Sequence, residues 1–149
     1  MTKITIHSAA VEFEVKHHQS SDRYVIARYS GAITSSNLVW LRSQVIEAAK
    51  DVSVYMLDMS RAVLLMGINP LIPEVADYRA IADGVIVCRS DQLASMQAYA
   101  KFMASRGVIR AVYLPSEWEY AQAMAHLLAG RQRQSPASLP SRSRRSAQN

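Results

Sequence analysis

Two short runs, VSVYML (52–57) and VIVC (85–88), are apolar at nearly every position. A strand that alternates polar and apolar residues can leave one face in water. A strand that is apolar throughout needs cover on both faces. Segments with helical spacing lie before and after these runs, and strands alternating with helices build a largely parallel sheet flanked by helices. This argues against an all-helical bundle and an all-β sandwich.

The other elements follow from local pattern. VEFEV (11–15) alternates with period two and reads as a half-buried strand. HHQSSD reads as a turn, and RYVIARYSGAI (23–33) as the second arm of a hairpin. Gly31 near the end of that arm predicts a bulge or a close backbone approach. The next helix is capped by Thr34 or Ser35, with Leu38, Leu41, Val45 and Ala48 or Ala49 on one stripe. The apolar strand after it is expected to end at Asp58. A connection with two prolines follows, in which Pro73 can open a short helix. After VIVC, Ser90 or Asp91 is expected to cap a helix that turns Leu93, Met96, Ala100 and Met103 inward and stops at Gly107. VIRAVYL is the last strand. Ser116 and Glu119 have the spacing of a capping box for a final helix, which faces Trp118, Ala121, Ala125 and Leu128 inward and ends at Gly130. The expected fold is a mixed, mostly parallel sheet of about five strands, with an N-terminal hairpin and about four helices.

A chain of 149 residues supports one domain, placed at 1–130. Its net charge of +5 resides entirely in the segment 131–149, which has five arginines and no acid. The remainder balances, so the high pI describes an appendage. That tail is expected to stay disordered, because it has nothing to offset the entropy of ordering. Counterion release would let it bind nucleic acid, but it has no aromatics for stacking on bases. A single cysteine excludes an intramolecular disulfide framework. The N-terminus lacks an apolar signal-peptide core, and no apolar run approaches the roughly 20 residues of a membrane span. A cytoplasmic protein is expected.

Three stretches carry a resemblance. YVIARYSGAITSSNLVWLRSQV, VYMLDMS and AYAKFMASRGVIRAVYLPSEWEYAQAMAHLL are similar to the opening strand–turn–helix, the Asp-x-Ser strand and the closing helix–strand–helix of the STAS-like domain family, typified by anti-sigma-factor antagonists. Together they span most of residues 11 to 129. The resemblance implies a regulatory, non-enzymatic module that docks to other proteins. In signalling members a serine just past the Asp-x-Ser strand is phosphorylated to release the partner. Here RAVLLMGINP follows Ser60, with no hydroxyl before the prolines, so that switch cannot be carried over.

Candidate chemistry is sparse. Asp58 as an aspartyl-phosphate nucleophile would need a second carboxylate and a cation. Ser60 stands where haloacid-dehalogenase-type phosphatases place that acid, and Glu12 and Glu14 sit on an alternating strand rather than in a cluster. The simpler reading is that Asp58 bonds local amides. VIVCRSDQLAS resembles the active loop of rhodanese-like sulfurtransferases, and a cysteine at a helix N-terminus gains acidity. However, Asp91 and Leu93 occupy the stations of the required glycine and second arginine, so Cys88 reads as a small buried hydrophobe. His17 and His18 point to opposite faces of an extended segment, which suits one metal poorly. His126 near a helix end can favour the helix dipole. Tyr99 and Phe102 lie off the main stripe of their helix and mark a second buried face or a dimer surface. No phosphate-cradling loop or nucleophile elbow occurs.

The reading that results is a non-catalytic regulatory or protein-interaction module without metal or cofactor. Its partner surface is expected around Asp58, Ser60, Gly67 and Asn69. A small sulfurtransferase or thiol enzyme using Cys88 is the alternative, and nucleic-acid tethering through the tail a weaker one. The partner is expected to be a protein, a homodimer is open, and no membrane contact is expected.

Overall fold

The computed structural model describes residues 1–18, 22–65, 83–104 and 109–133. Nine regular elements follow in order: β1 (Thr2–Ile6), β2 (Ala9–His18), β3 (Asp22–Ile33), α1 (Ser35–Ala48), β4 (Val54–Leu64), β5 (Asp83–Val87), α2 (Leu93–Ala104), β6 (Ile109–Tyr113) and α3 (Trp118–Arg133). The strands form one six-stranded sheet in sequence order, β1 to β6. β1–β2 and β2–β3 are antiparallel, and the three pairs from β3 to β6 are parallel.

The sheet is therefore only partly parallel, and it has one strand more than expected. The extra strand is β1, whose short polar–apolar alternation pairs with the start of β2. Three α-helices occur among the described residues. The short helix expected at Pro73 and the stop expected at Gly107 fall outside them. The turn read at HHQSSD is narrower than expected: His17 and His18 end β2, Asp22 opens β3, and residues 19–21 lie outside the described residues.

Side-chain parity divides the core into two layers. Val25, Ala27 and Tyr29 of β3, with Tyr55, Leu57 and Met59 of β4, face one way. There they meet Leu38, Leu41 and Val45 of α1 and Met96, Tyr99 and Ala100 of α2. Tyr24, Ile26, Val54, Met56, Val85 and Val87 face the other way and meet Ala121, Ala125, Leu128 and Ala129 of α3. The handedness of parallel crossovers explains the layout. β3–α1–β4 and β5–α2–β6 advance in the same direction across the sheet, so right-handed connections place both helices on one face. α3 then returns across the opposite face. The inward stripes read from sequence in α1 and α3 are buried here, apart from the half-buried Trp118, which is why the central strands are apolar on both sides.

The helix starts correct the sequence reading in two places. Thr34 caps α1 as expected: its Oγ1 accepts from the Asn37 N–H at 3.2 Å while Asn37 Oδ1 accepts from the Thr34 N–H at 2.9 Å. α2 and α3, however, each begin through a single 3-10 turn, Ser90–Gln92 and Pro115–Glu117. The reciprocal side chains there are Gln92, accepting from the Arg89 N–H at 2.8 Å, and Glu117, accepting from the Leu114 N–H at 2.8 Å. Ser116 and Glu119 do not form the expected box. α3 also runs three residues past Gly130.

Gly31 has φ of 81°. A Cβ at that position would collide with the Ser8 carbonyl oxygen in the β1–β2 turn. The close approach expected at Gly31 is therefore real, and it lets the hairpin turn lie on the end of β3.

Candidate functional site

β4 does not stop at Asp58. Arg28 pairs with Asp58, but the next paired residues are Ser30 and Arg61, so two residues of β4, Met59 and Ser60, lie opposite Tyr29 alone. This is a β-bulge. Asp58 creates it locally: its Oδ1 accepts the Ser60 N–H at 2.9 Å and the Ser60 hydroxyl at 2.6 Å. An aspartate that bonds the amide two residues on bends the chain as a turn would. After the bulge the strand resumes with its faces exchanged. Ala62 and Leu64 join the α1–α2 layer, while Arg61 and Val63 turn outward.

The other carboxylate oxygen of Asp58, Oδ2, lies 3.8 Å from Arg28 Nε. Arg28 also approaches Glu14 at 3.7 Å, and its guanidinium carbon sits 5.2 Å from the centre of the Trp118 ring. Asp58 is 7% exposed. The expected contact residue is thus an internal one that shapes the strand, with both oxygens facing groups of this chain.

β5 ends opposite Asp58, at Val87. Beyond that point, no strand among the described residues pairs with the β5 side of β4. Side chains of the next loop stand in for one. Gln92 Nε2 donates to the carbonyls of Met59 and Ala62, both at 2.9 Å, and the Arg89 guanidinium donates to the carbonyls of Ser60 and Ala62. Arg89 is steadied by Asp91, whose carboxylate accepts its Nε–H at 2.9 Å. This arginine holds Asp91 below its ordinary range.

The Cys-Arg-Ser loop is therefore a tie between β5 and the far half of β4. Cys88 within it is fully buried, and its N–H donates to the Tyr113 carbonyl at 2.9 Å. Burial, then the nearby Asp91, push its thiol up to about 11. Arg89 opposes that shift without reversing it. At neutral pH Cys88 is a thiol.

Ser60 is half-buried. Gly67 and Asn69 lie outside the described residues, as does the tail beyond Arg133. Sequence reasoning missed the outward pair that completes this end of the strand: Val63 is 55% and Leu65 41% exposed. A parity count carried straight through Asp58 buries the wrong residues, because the bulge shifts it by one.

Two clusters elsewhere join residues far apart in sequence. Arg42 of α1 is buried and donates to the Tyr99 hydroxyl of α2 at 3.2 Å. Beside them, with Tyr29 and Met59, is a gap of about 20 Å³, room for about one water. Burial raises the Tyr29 phenol well above its ordinary value. On the opposite face, the His18 and His126 rings stack with centroids 3.8 Å apart and planes within 2°. The Tyr24 hydroxyl bridges Gln122 Nε2 at 2.9 Å and His126 Nε2 at 3.1 Å. Among the described residues no three His, Cys, Asp or Glu side chains converge as metal ligands, and no helix is long and apolar enough to cross a membrane.

The class these features define is an open α/β sheet, bulged at Asp58, with two of the described helices on one face and one on the other. A solved structure with a similar chain path is the crystal structure of an uncharacterized protein from the DUF3478 family with a SpoIIAA-like fold, from Shewanella loihica PV-4. SpoIIAA-like is another name for the STAS-like fold. The identity is 11% and the TM-score 0.49, over 82% of this chain and 98% of that one. No family model matches this chain, and no curated protein does.

Proposed function

We propose that this chain is a non-catalytic interaction module that receives a protein partner on the far half of β4. One observation carries the reading: the strand past the bulge turns Arg61, Val63 and Leu65 to solvent, while Asp58 and Cys88 face inward. Exposed aliphatic side chains beside a cation favour a partner with an apolar patch and an acidic neighbour. The bulge sets this surface by exchanging the faces of β4, and the Arg89–Gln92 tie holds it in place.

The test is affinity capture from lysate with mass spectrometry, using the wild type and Val63→Glu, each checked by circular dichroism and thermal melting. The expected result is a partner held by the wild type and lost by the folded Val63→Glu protein. Equal capture by both would sink this surface.

A further inference from the structure

We propose that the outer face of α3 is a homodimer surface, on which a second copy of this chain packs its own α3 antiparallel. This surface is independent of the one on β4. The inner face of α3 is buried through Ala121, Ala125, Leu128 and Ala129. The outer face repeats on helical spacing at Tyr120, Ala123 and Leu127, all exposed, with Met124 half-buried beside them. Tyr120 is 71% and Leu127 55% exposed. Two large apolar side chains two turns apart, with alanine between, form a ridge and a shallow notch rather than scattered single residues.

The charges on the same face choose the occupant. Glu119 is exposed at the N-terminal end and Arg131 at the C-terminal end. A two-fold axis perpendicular to the helix near Ala123 and Met124 places Tyr120 of each copy against Leu127 of the other. It also brings Glu119 of each copy within a turn of the other copy's Arg131. Both ends are then complementary at once, as an isologous contact requires. A parallel pairing would set Glu119 against Glu119 and Arg131 against Arg131. The antiparallel arrangement also opposes the two helix dipoles favourably. One helix face buries less than the roughly 800 Å² per partner of a standard interface, so the association is weak and dependent on concentration.

Sedimentation velocity of the full chain over a concentration series tests this. The expected result is a monomer–dimer equilibrium that Leu127→Glu shifts to monomer. Glu119→Arg and Arg131→Glu should each weaken it about tenfold or more, by placing like charges at both ends. A mixture of these two variants should regain dimer, because each then offers the sign that the other lacks. That recovery cannot come from loss of folding. A wild type that stays monomeric up to the solubility limit overturns the proposal. So does a dimer unaffected by Leu127→Glu, or a mixture that associates no better than either variant alone.

Discussion

The two halves of β4 obey different rules. Before Asp58 the strand lies between β3 and β5 and under helices on both faces, and its residues Val54 to Leu57 are all buried. After Asp58 it keeps β3 on one side and, among the described residues, meets the side chains of Arg89 and Gln92 on the other, with Arg61 and Val63 in solvent. The first half is held by ladder bonds and packing. The second keeps its ladder with β3 and the packing of Ala62 and Leu64, and on its other side takes the long side chains of Arg89 and Gln92. One strand is thus fully buried in its first half and half exposed in its second, and the carboxylate of Asp58 marks the change.

If that division is right, equal truncations on either side must differ. Met56→Ala deletes a fully buried side chain between the sheet and α3. It should cost about 2–5 kcal/mol, a transfer loss plus an unfilled cavity. Val63→Ala, seven residues on, should stay within about 0.5 kcal/mol of wild type. Urea unfolding of the two variants measures both. A similar loss at both positions would mean that the far half is covered after all.

Cys88 stands where β5 stops, at the boundary between the halves. With its thiol raised to about 11 and its side chain buried, alkylation at neutral pH should be at least about a hundredfold slower than for an exposed cysteine. The rate should become ordinary in urea. Fast alkylation of the native protein would revive the sulfurtransferase reading and place the loop, rather than the strand beside it, at the centre of function.

The third comparison concerns the tie. Gln92→Ala removes both donors to the Met59 and Ala62 carbonyls and the acceptor for the Arg89 N–H. Unmet buried groups of this kind cost about 1–3 kcal/mol. More informative is where the loss appears. Hydrogen exchange should quicken in residues 59–64 and stay unchanged in 54–57. Uniform quickening would make the two halves a single cooperative unit.

These differences also explain what was legible in the sequence. The stripes of α1 and α3, and the double-sided burial of β4 and β5, depend on spacing within one element, so periodicity revealed them. The close approach at Gly31 was readable because only glycine suits such a position. The bulge is half-readable: the sequence suggests that Asp58 bonds a local amide, as it does at Ser60, but such a turn can either end a strand, as expected, or shift it, as happens here. Which occurs depends on whether β3 continues alongside, a fact held some thirty residues away. The Arg89–Gln92 tie, the Arg42–Tyr99 bond and the His18–His126 stack join distant segments, and no local pattern announces them. His126 was read as a helix-end cation. The structure places it in the middle of α3, beside the Tyr24 hydroxyl and stacked on His18.

The smallest effect expected is the pH dependence of that last cluster, on the face opposite the α1–α2 layer. Gln122 Nε2 donates to the Tyr24 oxygen at 2.9 Å, and His126 Nε2 lies 3.1 Å from the same oxygen. Burial, and then the His18 ring stacked on it, hold its pKa below the ordinary histidine value. Asp22 of β3 is buried nearby, with its carboxylate close to α3 at Gly130. Since the unfolded chain takes up the proton more readily, the contribution of this pair is complete above a pH of about 6.5 and declines as pH falls below it. Urea midpoints measured between about pH 7.5 and 5 should therefore fall, and His126→Gln, which keeps a polar group toward Tyr24, should flatten that fall. A His126→Gln protein with the wild-type slope would place the acid sensitivity elsewhere and reduce the stacked pair to packing.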